Sequence, residues 1–240
     1  MSVDMSGYNA QVNFCFLNES NKIEGIHAID YRYPRYQIEG VGHFGAFVLS
    51  QEMAKKHEPL TVRVIKQWQK LITIEQIPCG VPIAKDEIGH IRGPNLQKNV
   101  RIGTHIPSDY SEVPTLIETL MEDIKDDLRN IDKYTDDGEF SKLLGTRFLK
   151  FERIHPFTDG NGRVGRLLAN YIATYCGRPI IVFNSELISR NRYIDAHASE
   201  EAMVAFMAQK IKQSASPKRE NGVVDETDPS EESRKKPKIN

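Results

Sequence analysis

The sequence predicts a mostly α-helical fold, with a helical bundle core and one small β-hairpin. Apolar residues recur at spacings of three and four in several windows, which is the pattern of helices that bury one face. Alternation typical of strands is confined to one short stretch. With 240 residues, of which 39% are hydrophobic, the chain is long enough to bury one core. We therefore expect one folded domain with an extension at each end.

The apolar windows predict the helices in chain order. The first two helices are expected around residues 44–53 and 62–72. Three amphipathic windows follow at residues 113–128, 140–151 and 164–175. Gly177 and Pro179 end the last of these, because glycine favours a helix C-terminus and proline cannot continue the helix. One or two more helices are predicted within residues 189–211.

The one strand candidate is the stretch of residues 88–106. Gly89, Gly93 and Gly103 lie there between short β-branched runs, of which residues 99–102 are the clearest. Glycine-rich turns between such runs favour a hairpin.

Both ends of the chain are polar. Residues 1–16 lack an apolar leader, and no apolar stretch approaches the roughly 20 residues that a membrane-spanning helix needs. We therefore expect a cytoplasmic protein without a membrane partner. The composition of residues 213–240 predicts a disordered charged tail, in which Lys218-Arg219 and residues 234–238 resemble a two-part nuclear-import signal. A nuclear location is the alternative, and the net charge of −1 does not indicate nucleic acid as a partner.

The residues most suited to chemistry lie between the helices predicted at 140–151 and 164–175, in the string His155-Pro-Phe-Thr-Asp-Gly-Asn-Gly-Arg-Val-Gly-Arg166. Gly160 and Gly162 allow backbone N–H groups to point into one concavity at a helix N-terminus, which suits an anion. Arg163 and Arg166 share a helix face and are placed to hold successive phosphates.

Two more side chains of this string fit phosphate chemistry. Asp159 is a candidate Mg²⁺ ligand, because Mg²⁺ takes one or two protein carboxylates and completes its shell with phosphate oxygens and water. Histidine has an unperturbed pKa of roughly 6.5, so His155 is the candidate general base that accepts a proton from an attacking hydroxyl.

Plainer interpretations of the same residues exist. His155 could be a packing residue, and the two arginines could form a solvated helix face. The spacing Gly160-x-Gly162-x-x-Gly165 also imitates a dinucleotide-binding fingerprint, which requires a buried strand before the first glycine. The residues before Gly160 instead indicate a charged helix followed by His-Pro, which argues against that fold.

The string resembles the signature of the Fic family, His-x-Phe-x-Asp/Glu-Gly-Asn-Gly-Arg-x-x-Arg, at every defined position. The resemblance extends over about residues 20–210 and implies a mostly helical Fic fold. It implies that His155 deprotonates a Ser, Thr or Tyr hydroxyl of a target protein, which then attacks the α-phosphate of ATP and expels pyrophosphate.

The resemblance also implies roles for the other residues of the string. Asp159 would hold Mg²⁺ between the α- and β-phosphates, and Arg163 and Arg166 would orient the outer phosphates. Asn161 and the backbone at Gly160 and Gly162 would stabilise charge that grows on the α-phosphate. Phe157 is expected to be a core anchor rather than a catalytic residue.

Two further elements of the family have counterparts. A β-hairpin flap that pairs with a target segment by backbone hydrogen bonds corresponds to Asn99, Val100, Arg101, Ile102, Gly103 and Thr104. Tyr193 lies in a stretch similar to one near the family's adenine pocket and would line the ATP site, although a simple core tyrosine is the alternative.

Ser20 to Gly25 match the inhibitory pattern Ser/Thr-x-x-x-Glu-Gly/Asn of the same family. The resemblance implies that Glu24 pairs with Arg166 and excludes the γ-phosphate of ATP. The alternative is an amphipathic N-terminal helix with Glu24 solvated. The predicted organisation is an N-terminal inhibitory segment at residues 1–30, a Fic catalytic domain at 31–212 and a charged tail at 213–240.

The predicted function is that of a protein adenylyltransferase, autoinhibited by Glu24, that uses ATP and Mg²⁺. Removal of AMP from the same target and silent nucleotide binding are the alternatives. The target is unknown, and association into a homo-oligomer stays open.

Overall fold

The computed structural model describes residues 10–24, 34–74, 83–101 and 106–215. Most of the described residues form α-helices, and Ile131–Tyr134 form a short 3₁₀ turn. The α-helices are α1 (Ala10–Ile23), α2 (Pro34–Lys55), α3 (Val62–Thr73), α4 (Val113–Arg129), α5 (Asp137–Ile154), α6 (Asn161–Tyr175), α7 (Leu187–Ala196) and α8 (Glu200–Ala215). The prediction of a mostly helical fold is confirmed.

Local sequence explains where the helices begin. Thr61 caps α3, because its hydroxyl accepts a hydrogen bond from the Val64 amide. Asp136 caps α5 by accepting hydrogen bonds from the Gly138 and Glu139 amides. These side chains bind amides that no helical carbonyl reaches.

The core surrounds α6, which is buried along nearly its whole length. The α2 and α5 helices pack against it, and α8 packs against α5. Because α6 is enclosed by its neighbours, its N-terminus at Asn161 is fixed in position. The loop that precedes it is therefore held by a rigid element.

The described part of the predicted hairpin contains no strand. Residues 83–101 form turns and irregular backbone, with one isolated bridge between Gly93 and Leu96. The side chain of Arg92 donates to the carbonyls of Lys98 and Ser108, and these bonds replace the cross-strand bonds of a hairpin base. The prediction of a hairpin is therefore wrong for residues 88–101. Ile102, Gly103 and Thr104 lie outside the described residues, so the flap itself stays a prediction.

The ends of the described chain bear on two more predictions. The α8 helix continues to Ala215, slightly past the predicted start of the tail. Residues 216–240, with the import-like clusters, lie outside the described residues, as does Gly25 of the inhibitory pattern. In the part that the structure describes, no helix combines the length and the apolar character needed to cross a membrane.

Candidate active site

His155 ends α5 at the edge of the loop. Its backbone is left-handed, with φ 50° and ψ 62°, and its amide donates to the Phe151 carbonyl at 3.0 Å. Helical backbone is disfavoured immediately before a proline, which explains why α5 ends here. The half-buried imidazole therefore stands at a chain reversal rather than along a helix face.

Asn161 closes the loop between His155 and α6. Its side-chain carbonyl accepts from the Phe157 amide at 2.9 Å, and its side-chain amide donates to the Phe157 carbonyl at 2.8 Å. Phe157 is fully buried, in agreement with its predicted role as a core anchor. Gly160 has a φ of 82°, which favours glycine, and it lets the chain turn into the first residue of α6. In this structure Asn161 fixes the shape of the loop.

The two arginines of the string are buried at the start of α6. Arg166 has no exposed surface and Arg163 has 3%. The alternative of a solvated helix face is therefore wrong. Arg166 donates from Nε to the Ser20 hydroxyl at 2.8 Å, and from Nη2 to the Ser20 carbonyl at 2.9 Å and to Glu24 Oε1 at 2.6 Å.

Glu24 lies over the N-terminus of α6. A Cβ atom added to Gly162 would stand only 2.5 Å from Glu24 Oε1, so the carboxylate approaches the helix backbone where only glycine leaves room. Burial raises the pKa of Glu24, but the charges of Arg166 and Arg163 outweigh burial and lower it. A helix N-terminus favours an anion. The carboxylate thus fills the concavity that the sequence predicts for phosphate.

Several contacts hold α1 in this place. Phe16 is fully buried in the core, and Asn21 Oδ1 lies 2.8 Å from Nδ1 of the fully buried His43 on α2. Glu19 accepts from the amide and hydroxyl of Ser185 at 2.7 and 2.8 Å. The position of Glu24 is therefore set by a docked helix.

Asp159 is the candidate metal ligand. Its side chain is 47% exposed, Oδ1 accepts from the Gly160 amide at 2.7 Å, and Oδ2 lies 3.7 Å from Arg163 Nη2. No group of three metal-binding side chains occurs among residues 10–24, 34–74, 83–101 and 106–215. A single carboxylate suits Mg²⁺ when phosphate oxygens and water supply the other ligands. Asp159 therefore fits a metal that arrives with a nucleotide.

The start of the predicted flap faces this loop across a cavity of about 620 Å³. Lys98, Asn99 and Val100 line one side of the cavity, and Thr158 and Asp159 line the other. Arg101 is exposed at the end of the described segment.

Tyr193 lies in the core and is only 7% exposed. Its ring centroid is 5.9 Å from that of Phe183 and 5.8 Å from that of Phe206. Burial raises the pKa of Tyr193 well above its usual range. The placement matches the core alternative, although Tyr193 interacts electrostatically with Arg166 beneath the anion site.

Sequence reasoning missed Arg92, Gln69 and Glu152. Arg92 and Gln69 bind backbone atoms of the loop, a role that has no sequence signature. Glu152 follows Phe148 by four residues and so shares its apolar helix face, which is a signal that could have been found.

Glu152 is a buried carboxyl group packed against Gly165. Burial raises its pKa to about 7, with the charge of Glu24 acting in the same direction and Arg166 opposing both. The pKa of Glu152 in the folded protein lies above its ordinary value of 4.5. The contribution of Glu152 to the free energy of unfolding is therefore fully present below pH 4.5 and is lost as the pH rises through 7.

We therefore expect Glu152→Gln to be more stable than the wild type at pH 8, by about 3 kcal/mol, and nearly equal to it at pH 4.5. Urea unfolding across this pH range measures the difference. Glu139→Gln, at an exposed position on the same helix, is the control. Parallel pH curves for wild type and Glu152→Gln would contradict the prediction.

Comparison with known proteins agrees with this geometry. A profile of the Fic/DOC family matches residues 59–173, from the turn before α3 to near the end of α6. This chain is a Fic-domain protein. The identification by its motif is thereby confirmed.

The Fic domain has two curated relatives at modest identity. A probable protein adenylyltransferase of Aquifex aeolicus is 34% identical over 99 residues, which is 41% of this chain and 27% of the relative. The protein adenylyltransferase Fic of Drosophila willistoni is 27% identical over 150 residues, which is 61% of this chain and 27% of that protein. The matches thus span about a quarter of each relative.

Solved structures share the fold. A Fic domain containing signaling protein from Bacteroides thetaiotaomicron superimposes with a TM-score of 0.69 at 20% identity, over 86% of this chain and 85% of that one. BepC of Bartonella tribocorum, solved with bound AMPPNP, superimposes with a TM-score of 0.51 at 15% identity, over 70% of this chain and 83% of that one.

Proposed function

We propose that this Fic-domain protein is an ATP-dependent adenylyltransferase that transfers AMP to a Ser, Thr or Tyr hydroxyl of another protein, and that Glu24 holds it inactive. The observation that carries the proposal is the anion site at the start of α6, where Arg166 is fully buried and binds the Glu24 carboxylate. The names of the two relatives and the AMPPNP bound to BepC support a nucleotide as the ligand.

Nucleotide binding requires that Glu24 leave. Arg166 would then donate to the outer phosphates, and the amides at the start of α6 would face the α-phosphate. Asp159 would hold Mg²⁺, which supplies neutralisation of the phosphate charge.

The proposed chemical step transfers one proton, forms one bond and breaks another. His155 accepts the proton of the target hydroxyl, whose oxygen forms a bond to the α-phosphorus. The bond from that phosphorus to the bridging oxygen of pyrophosphate breaks, and the proton stays on the imidazole until it is released to water. A target segment would lie in the cavity lined by Lys98 to Val100, because Thr158 and Asp159, which follow His155 closely in the chain, line it as well.

Removal of AMP is the second candidate. A charge on His155 lowers the pKa of Glu24 in the same direction as the charges of the arginines, so the two side chains interact electrostatically. A water held between Glu24 and His155 would be placed to attack a phosphate ester.

The position of the transferred label tests the proposal. Relative to the lysate alone, we expect Glu24→Gly to add label from α-labelled ATP to lysate proteins and to add none from γ-labelled ATP, because AMP transfer retains only the α-phosphate. Wild-type protein added to the labelled products tests AMP removal by loss of label. If only γ-labelled ATP adds label, the protein transfers phosphate and the proposal of AMP transfer is wrong. Binding of ATP without label from either would leave a silent nucleotide-binding module.

A further inference from the structure

Arg92 is a fully buried arginine outside the motif string. Its Nε donates to the His155 carbonyl at 2.9 Å, and its Nη2 donates to the Ile154 carbonyl at 2.9 Å. Its Nη1 donates to the carbonyls of Ser108 at 3.0 Å and Lys98 at 3.3 Å. One planar group thus binds four backbone carbonyls on three different parts of the chain.

A buried cation needs hydrogen-bond acceptors, since burial without them is costly. Burial lowers the pKa of Arg92, with the charge of Asp109 opposing the shift. Within the described part of the chain, no carboxylate is within salt-bridge distance of Arg92. Its charge is therefore satisfied by the carbonyls, and the rigid fork of the guanidinium fixes their relative positions.

The first pair of carbonyls belongs to the turn that presents the imidazole. His155 is left-handed, and its carbonyl and that of Ile154 are both held by Arg92. The backbone amide of Arg92 also donates to the Pro156 carbonyl at 2.8 Å. The backbone that carries the His155 side chain is therefore held from outside the loop.

The second pair of carbonyls belongs to Lys98, which lines the cavity, and to Ser108. Asn99, next to Lys98, connects this part of the chain to the residues that follow Ser108. The Asn99 side chain donates to Asp109 Oδ2 at 2.7 Å and accepts from the Tyr110 amide at 2.9 Å. Hydrogen bonds from Ser111 and Asn99 lower the pKa of Asp109 to about 2, so this acceptor stays charged.

We propose that Arg92 is a positioning residue that fixes the distance between His155 and the cavity wall formed by Lys98, Asn99 and Val100. The proposal rests on the proposed function, in which that wall receives the target hydroxyl. The side chain of Arg92 donates to backbone carbonyls, so Arg92 acts through the backbone that carries His155 and Lys98 rather than on a reacting group. Lysine cannot replace it, because one ammonium group cannot span four carbonyls arranged around a planar fork.

Hydrogen–deuterium exchange tests the link without any activity. We expect Arg92→Lys to speed exchange in residues 106–112 and 153–158 together, while α4 keeps its protection. Arg178→Lys is the matched control, because Arg178 also donates to loop carbonyls, those of Tyr134 and Thr135, near the start of α5. Unchanged exchange in either region, or faster exchange throughout the protein, would overturn the proposal.

Kinetics in the Glu24→Gly background provide the second readout. We expect Arg92→Lys to lower kcat for transfer to a saturating target on the order of 10- to 100-fold, because small displacements of reacting groups have effects of this size. The Kd for ATP should stay within about twofold, since Arg92 lies outside the anion site. Unchanged kcat would overturn the proposal.

Two safeguards keep the outcomes distinct. If the Glu24→Gly parent transfers no label, the proposed function fails, and the exchange experiment alone decides the role of Arg92. If Arg92→Lys does not fold, Asn99→Ala is the second variant. It removes the hydrogen bonds of an exposed side chain to Asp109 and Tyr110, and it should lower kcat by a smaller factor. Asn99→Ala with parental kcat and parental exchange would then overturn it.

Discussion

Glu24→Gly is expected to transfer the α-label of ATP on the order of 10- to 100-fold faster than the wild type, which corresponds to a coupling free energy of about 1–3 kcal/mol between the inhibitory contact and ATP. In the wild type, Arg166 Nη2 donates to Glu24 Oε1 at 2.6 Å, and the carboxylate lies over Gly162 where phosphate would lie. A second anion can enter only after the first has left. Because the Glu24 side chain is 34% exposed, its removal opens a path from solvent.

Two variants separate charge from occupancy at this position. Glu24→Gln keeps the volume but removes the charge that Arg166 and Arg163 stabilise, so it should release part of the inhibition. Glu58→Gly is the control, because Glu58 is an exposed glutamate in the turn after α2, as Glu24 lies in the turn after α1. Equal transfer and equal ATP affinity in wild type and Glu24→Gly would exclude autoinhibition by this residue.

The anion site was predictable because its residues are close in sequence. Gly160, Asn161 and Arg163 occupy one loop and one helical turn, where local rules of helix geometry determine which groups face together. Burial of the arginines was not predictable from those rules. It depends on the docking of α1, and the Glu24–Arg166 contact joins residues 142 positions apart. Only the family resemblance indicated that pair.

Arg92 shows the limit of sequence reasoning. Its partners are backbone carbonyls, which every residue possesses, so no pattern of side chains marks them. The glycines at 89 and 93 correctly indicated turns, but the same pattern predicted a strand ladder that the described residues lack. Residues 98–99 do lie close to residues 108–109. Hydrogen bonds from the side chains of Arg92 and Asn99 hold them together in place of strand pairing.

Loss of the imidazole at position 155 is expected to have the largest effect. In the Glu24→Gly background, His155→Asn should lower the rate of AMP transfer by roughly 10²- to 10⁴-fold, the usual contribution of a general base. Asparagine is the better replacement, because it tolerates left-handed backbone better than alanine. The Kd for ATP should be unchanged, since the anion site is formed by α6 and the arginines.

A matched control exists for this substitution. Among the described residues, His57 is the other non-glycine residue with positive φ, at 53°, and its ring stacks on Tyr175 at 4.3 Å. His57→Asn makes the same change at a similar backbone and should leave transfer unchanged. Single-turnover transfer at saturating ATP compares the three proteins. If His155→Asn transfers AMP at the parental rate, another group accepts the proton of the target hydroxyl, and His155 loses its assignment as the general base.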